Sequence, residues 1–532
     1  MVFESDLRKE NLLERPSLVR QVLSNDLRNP FLVAFTQLTI QVIFHNNYGY
    51  FRDELYYIAC SKHLAFGYVD QPPLSIFILA ATRWIAGDSL QVLRFLPSLA
   101  GAGVVVIAAL MAKQLGGGRF AQGLASLSIV AAHVLLAEGR CFSMNAFDVL
   151  FWSFALYLVT RIITEERPKL WIWFGVVVGL GLLNKYSVGF LCVGLVAALL
   201  VTPARKHLFA KWFWLGALVA FILFLPHVVW EIANGFPSLE FMRNASQEKN
   251  LPTSFSEFLM GQFREVNYFN APIWLLGLYY LFVHPDGKRL RVFGWLFVAL
   301  FILFIVGNGK AYYLSPSYPI LLAAGSVFVE RLLGDRSWNW IKPVYVSLIV
   351  LWTIITVPFV LPVLPVETFI AYEKRLGVTP KAEERSALGP LPQGYADEFG
   401  WEAMVVGVAK VYQTLSPEDQ AKCVIYVRNY GEAGAIDFFG RKYGLPPAVC
   451  GHNNYWIWGP GERSGDIAII LGNGHDPQKS LADLQRYYDH VELGFTTQCD
   501  LCMPYENDRQ FFLCRGMKTT IQKIWPKERH YI

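Results

Sequence analysis

Long apolar runs, separated by short polar connectors, fill the chain from residue 29 to about residue 365, and the pattern then stops. Such runs occupy 31–44, 93–115, 120–137, 147–163, 171–183, 187–201, 212–230, 272–283, 292–306, 319–333 and 344–361. A spanning helix needs about 20 mostly apolar residues, so these runs predict about eleven spans, several of them short. The stretch 74–85 is apolar but shorter still, and predicts an interfacial or re-entrant helix. Beyond residue 366 the composition becomes that of a soluble domain. There, strand patterns at 423–428, 466–471 and 511–514 alternate with helix patterns at 433–443 and 481–490, which predicts a small α/β domain. The segment Asn429 to Gly434 bears glycines after a strand but lacks a dinucleotide fingerprint, and reads as a turn and helix entry. Three parts follow: a polar cytoplasmic segment, 1–30; a membrane part, 31–365, with its first outer loop at 46–91; and a C-terminal part, 366–532.

Composition sharpens this division. The 532 residues are 54% hydrophobic and only 17% charged, against about 25% in soluble domains. The net charge of +5 is spread over connectors, which excludes a nucleic-acid partner. Residues 1–28 lack the apolar core of a signal peptide, so the first helix near Phe31 is expected to direct insertion. Of eight cysteines, five lie in the C-terminal part, an odd number that precludes complete pairing there. No histidines stand at zinc spacing around Cys499 and Cys502.

Charge bias sets the expected orientation. Arg205, Lys206, Lys211, Lys288, Arg289 and Arg291 fall in alternate short loops, which are therefore read as inside. An odd number of spans then puts the C-terminal part outside, in the periplasm of a bacterial-type cell, with the rest in its inner membrane. The outside loops hold the unusual residues: Arg52, Asp53, Glu54 and Asp70 in the first, then Asp148, Lys185, His227, Glu231, Arg264, Lys310 and Tyr313. Ionisable groups beside hydrocarbon are costly and mark a functional cavity. Lys62 and Glu265 read more simply as solvated connector charges.

Five segments now acquire a common meaning. Residues 50–57 read YFRDELYY, 68–74 YVDQPPL, 144–148 MNAFD, 179–186 GLGLLNKY and 310–319 KAYYLSPSYP. In this order they resemble the motifs of glycosyltransferase family 39 in its broad sense, the C-type glycosyltransferases that include protein O-mannosyltransferases and lipid A aminoarabinose transferases. Gln71 stands where that family usually has histidine. The resemblance spans roughly residues 31 to 325 and leaves the C-terminal part unmatched.

The resemblance implies a polytopic α-helical fold of the C type and transfer of a sugar from a polyprenyl-phosphate donor in the membrane lipid to a hydroxyl acceptor, with inversion. By the same resemblance Asp53 is the general base, with Glu54 orienting it or binding sugar hydroxyls. Adjacent residues on a helix diverge by about 100°, so the two are not expected to cooperate as an acid/base pair. Lys185, Lys310 and Arg264 are expected to stabilise the departing phosphate. Asp70, Asp148 and Tyr313 would meet the sugar hydroxyls, and Trp230 would stack on the ring or anchor at the interface. The phosphate leaves readily, so no strong general acid is required. No cofactor is firmly implied, although Asp70 and His227 are ligand types for a divalent ion. The acceptor stays open: protein, lipid or glycan. A secondary transporter, which would usually show inverted repeats and charges along a path, and an envelope lipid or peptide sensor are the competing readings.

Overall fold

The computed structural model describes residues 28–334, 336–382, 384–472 and 476–532. The expectation for the polar segment ahead of residue 28 lies outside these residues. Helices occupy the positions of all eleven apolar runs, beginning with Arg28–Phe44 and ending with Ile341–Thr356. Their lengths differ from the simple expectation. Among the described residues, five helical stretches are long and apolar enough to cross a membrane: Leu90–Gln114, Met144–Glu165, Lys211–Ala233, Pro285–Val306 and Ile341–Phe359. A sixth arises if the bent pair Ser187–Leu200 and Pro203–Phe209 is one span. Others are cut short by corners. Ala271–Phe282 has 12 residues, which at about 1.5 Å per residue falls well short of the apolar thickness of a bilayer.

Burial sorts these helices into inner and outer ones. The apolar windows of Leu90–Gln114 and Met144–Glu165 are 67% and 78% buried, while those of Lys211–Ala233 and Ile341–Phe359 are 17% and 11% buried. The first pair forms the centre of the bundle and the second presents apolar side chains outward. Small residues permit the tightest crossings. Gly175 and Gly216 face each other so closely that a Cβ on Gly175 would sit 2.0 Å from the Gly216 carbonyl oxygen. The stretch Leu74–Ala86 is a short apolar helix, with Trp84 and Ile85 exposed.

The C-terminal part holds a five-stranded sheet in the order β2-β1-β3-β5-β4. Its strands are β1 Val424–Val427, β2 Ala448–Cys450, β3 Ile467–Leu471, β4 Tyr488–Thr496 and β5 Gln510–Met517. β1 pairs in parallel with β2 and β3, with Ile425 opposite Ala448 and Ile469. β3 and β4 pair antiparallel with β5. All residues of β1 and β3 are buried, as a sheet covered on both faces requires. The pattern read as a helix over 481–490 divides into the helix Pro477–Gln485 and the edge strand β4. β4 is mostly exposed, so it carries little apolar signal.

One helix ties the two parts together. Arg52–Cys60, from the first loop, has every residue from Glu54 to Cys60 buried. Leu55, Tyr56 and Ile58 share a single apolar cluster with Val405, Ile425, Ala433 and other residues of the C-terminal part. Gly434 makes this docking possible. A Cβ there would lie 2.7 Å from the Leu55 carbonyl carbon and 2.9 Å from the Tyr56 nitrogen.

Candidate active site

The helix Arg52–Cys60 presents two adjacent carboxylates to opposite surroundings. Asp53 keeps a side chain 30% exposed. Its Oδ1 accepts a hydrogen bond from the Tyr430 hydroxyl at 2.9 Å and lies 3.7 Å from Arg52 Nε. Glu54 is wholly shielded. Arg94 donates to it twice, at 3.0 and 2.8 Å, and the Phe142 amide donates at 2.8 Å. The Phe51 amide completes the set at 2.9 Å. With its oxygens so engaged, Glu54 does not meet a substrate, which corrects its expected catalytic role. It anchors the base of the helix, and Glu398 joins the same network through Arg94 and Arg140.

Arg52 is fixed just as firmly. Its amide donates to the Asp397 carbonyl at 3.0 Å, its Nη1 donates to the Tyr505 hydroxyl at 2.6 Å, and Asp397 Oδ2 lies 3.8 Å from Nη2. Arg52 and Tyr430 line a cleft of about 230 Å³ with Lys249, Glu384, His452 and Tyr505. Burial pushes the His452 imidazole down to about 3, so it is neutral at ordinary pH.

Cations converge on Glu384. Lys310 Nζ lies 3.3 Å and Lys249 Nζ 3.7 Å from the same oxygen. Burial pushes the Glu384 carboxyl up, but Lys249, Lys310 and Arg52 outweigh burial and hold it below the usual range. Lys249 sits in a segment pinned to the linker 377–388 by the Asn250–Glu384 bridge and by the Arg385 amide, which donates to the Lys249 carbonyl.

Asp70 faces the same region. It accepts from the Tyr56 hydroxyl at 2.9 Å. Burial raises its carboxyl to about 7, the Tyr56 bond opposes this, Asp53 adds to the rise and Lys249 opposes it. Asp148 and Lys185 are partners: Lys185 Nζ lies 3.7 Å from Asp148 Oδ2 and donates to Asn145 Oδ1 at 2.7 Å. Ser187 also donates to Asp148. Arg264 pairs with its neighbour Glu265 at 3.0 Å, and its side chain is 55% exposed, the least enclosed of the expected cations. Tyr313 packs edge-on against Tyr312. Trp230 stacks on His227 and closes over Gly67, so it packs within the protein rather than offering an open face.

The divalent-ion expectation meets an obstacle in His227. Its Nε2 is 2.7 Å from the Tyr186 hydroxyl and its Nδ1 is 2.8 Å from the Phe66 carbonyl. With both nitrogens occupied and Asp70 bonded to Tyr56, the pair does not fit a metal ion. Among the described residues there is no cluster of three or more His, Cys, Asp or Glu suited to one.

Sequence reasoning noted Arg52 without giving it a role, and missed Lys249, Glu384, Asp397, Tyr430 and Tyr505. Arg52 had a signal, since it directly precedes Asp53 in the motif 50–57. The others lie in the fourth outer connector, the linker or the C-terminal part, where no motif was available.

The comparisons with known proteins agree with this picture. The dolichyl-phosphate-mannose-protein mannosyltransferase family matches over residues 70–230. A lipid A galacturonosyltransferase, RgtD of Rhizobium johnstonii, is 22% identical over 278 residues, 51% of this chain and 58% of that protein. The chain thus spans less than two thirds of the length of this curated relative. The fold is similar to ArnT of Cupriavidus metallidurans bound to undecaprenyl phosphate, with a TM-score of 0.60 and 14% identity, over 91% of this chain and 97% of that one. An Archaeoglobus fulgidus oligosaccharyltransferase is similar with a TM-score of 0.50 and 12% identity, over 81% of this chain and 65% of that one. These matches bear out the resemblance carried by the motifs: the chain is similar to glycosyltransferase family 39 proteins and has the C-type glycosyltransferase fold.

Proposed function

We propose that this protein is a membrane glycosyltransferase that moves a sugar from a polyprenyl-phosphate donor to an acceptor hydroxyl on the outer face of the membrane, with inversion. The observation that carries this reading is the contrast between Asp53 and Glu54. One is locked into a buried network, and the other opens beside a cleft that contains Arg52 and Lys249. The family match and the likeness to a fold solved with undecaprenyl phosphate support the donor class. The Lys/Arg bias of the loops supports an inner-membrane protein with the C-terminal part in the periplasm.

In this reading Asp53 accepts the proton of the acceptor hydroxyl as its oxygen attacks the anomeric carbon. A positioned base contributes about 10²- to 10⁴-fold. The new C–O bond forms as the bond from the anomeric carbon to the phosphate oxygen breaks, and the electron pair leaves with the lipid phosphate. Fixed cations stabilise that departing charge. Lys310 and Lys249 are suited to it, with Lys185 and Arg264 nearer the membrane part. Glu384 lies between Lys310 and Lys249, where a phosphate would compete with it. Asp70 and Tyr313 are the hydroxyl partners proposed for the sugar. Asp148, buried with Lys185, is proposed to act on the donor through that lysine.

The transporter reading is less well supported. Asp53, Asp70, Lys249, Lys310 and Glu384 gather beside the C-terminal part and do not trace a path along the bundle. The test is a deletion strain complemented with wild-type or Asp53→Asn protein, with envelope lipids and glycans compared by mass spectrometry. A glycan lost on deletion should return with wild type and not with Asp53→Asn, while undecaprenyl phosphate binding survives the substitution. Near-normal product from a well-folded Asp53→Asn protein removes Asp53 as the base.

A further inference from the structure

The C-terminal part touches the proposed base directly through Tyr430. This residue opens the helix Tyr430–Phe439, whose start is fixed by a capping box between Asn429 and Glu432. The Tyr430 ring lies 4.7 Å from the Tyr56 ring and 4.8 Å from the His452 ring, with the Arg52 guanidinium 5.3 Å away on its face. One turn further on, Gly434 lies against the backbone of Leu55 and Tyr56. The phenol is thus placed by backbone packed on backbone, by two rings and by a guanidinium on its face, and it has little freedom to turn.

We propose that Tyr430 is a positioning residue for Asp53, so that the C-terminal part completes the reaction centre. This rests on the reading of Asp53 as general base. The hydroxyl donates to Oδ1, and Arg52 Nε approaches the same atom. Both contacts hold one carboxylate oxygen and leave Oδ2 to meet the acceptor hydroxyl. A carboxylate held at one oxygen turns less freely about its terminal bond, which keeps the other oxygen aimed in one direction. Proton abstraction depends on such alignment.

The test uses the full chain in detergent or lipid, with undecaprenyl-phosphate-linked sugars as donors and undecaprenyl phosphate as the binding probe. Tyr430→Phe should lower kcat about 10- to 100-fold, the value of one hydrogen bond to a charged group. The donor KM and the Kd for undecaprenyl phosphate should hold. Placing 3,5-difluorotyrosine at position 430 keeps the hydroxyl but lets it ionise more readily. That protein should be active at the acid end of the pH profile and lose turnover at a lower pH than wild type, because an ionised phenol has no proton to donate. Unchanged kcat in Tyr430→Phe, or a difluorotyrosine profile that matches wild type, overturns the proposal. Wild-type protein that transfers no sugar defeats the glycosyltransferase reading separately. The pair is then judged on melting temperatures of Tyr430→Phe, Asp53→Ala and the double variant. Additive shifts overturn the pairing, and a double variant no less stable than Asp53→Ala supports it.

Discussion

Arg94 grips Glu54 with two hydrogen bonds, at 3.0 and 2.8 Å, and neither side chain is accessible to solvent. A buried pair of this kind is costly to break, because the survivor keeps its charge without its partner. Glu54→Ala should therefore destabilise the protein by about 3–5 kcal/mol. Thermal unfolding checks this. Folded Glu54→Ala protein, recovered at low temperature, should retain more turnover than Asp53→Asn. Equal loss in both would return Glu54 to the chemistry.

Gly434 sets how closely the C-terminal part approaches the first-loop helix. Gly434→Ala puts a methyl group against the Leu55 carbonyl and must push the two backbones apart. Turnover should fall strongly, and protease sites in the linker 377–388 should open faster than in wild type. Unchanged turnover and unchanged cleavage would show that the contact is not needed.

Lys185 and Asp148 allow pairing and phosphate binding to be separated. Lys185→Gln should lower stability, since Asp148 stays buried beside it, and should weaken undecaprenyl phosphate binding. Lys185→Arg should weaken binding less. Lys185→Gln with Asp148→Asn should restore the melting temperature but not the binding. Recovery of binding in the double variant removes Lys185 from the phosphate site.

Asp70 makes stability depend on pH in a predictable direction. Its carboxyl is raised from 3.8 to about 7, chiefly by burial. Between those values the native state holds a proton that the unfolded chain releases. The contribution of Asp70 to stability is therefore complete below 3.8 and lost as pH rises through about 7. Asp70→Asn should flatten this loss. Melting temperatures measured across pH 4–8 report it, and parallel curves for the two proteins would contradict it.

The helices were legible because apolar runs of this length have few other uses in a polypeptide, and short polar corners mark their ends. Their lengths were less legible. A run such as 272–283 does not reveal how far its helix extends into the next turn. At the site, the motif 50–57 announced Asp53 as the base but left Glu54 to orient it or to bind sugar hydroxyls. What separates them is Arg94, placed by its own flanking residues inside the run 93–115 and 40 positions from Glu54. Such pairings depend on packing between distant segments, which periodicity does not encode. Tyr430 is the extreme case. Its neighbourhood reads correctly as a helix entry, yet nothing local points to a residue 377 positions earlier.

That separation also imposes an order of events during synthesis. Asp53 belongs to the first loop to leave the ribosome, and Tyr430 follows after nearly the whole bundle has been translated. Until the later segment has folded, the early helix exposes Leu55, Tyr56 and Ile58, which are buried in the finished protein. A nascent or prematurely terminated chain would therefore carry the carboxylate without its clamp and an apolar surface without its cover. It would be idle as a catalyst and recognisable to quality control by the same unfinished contact.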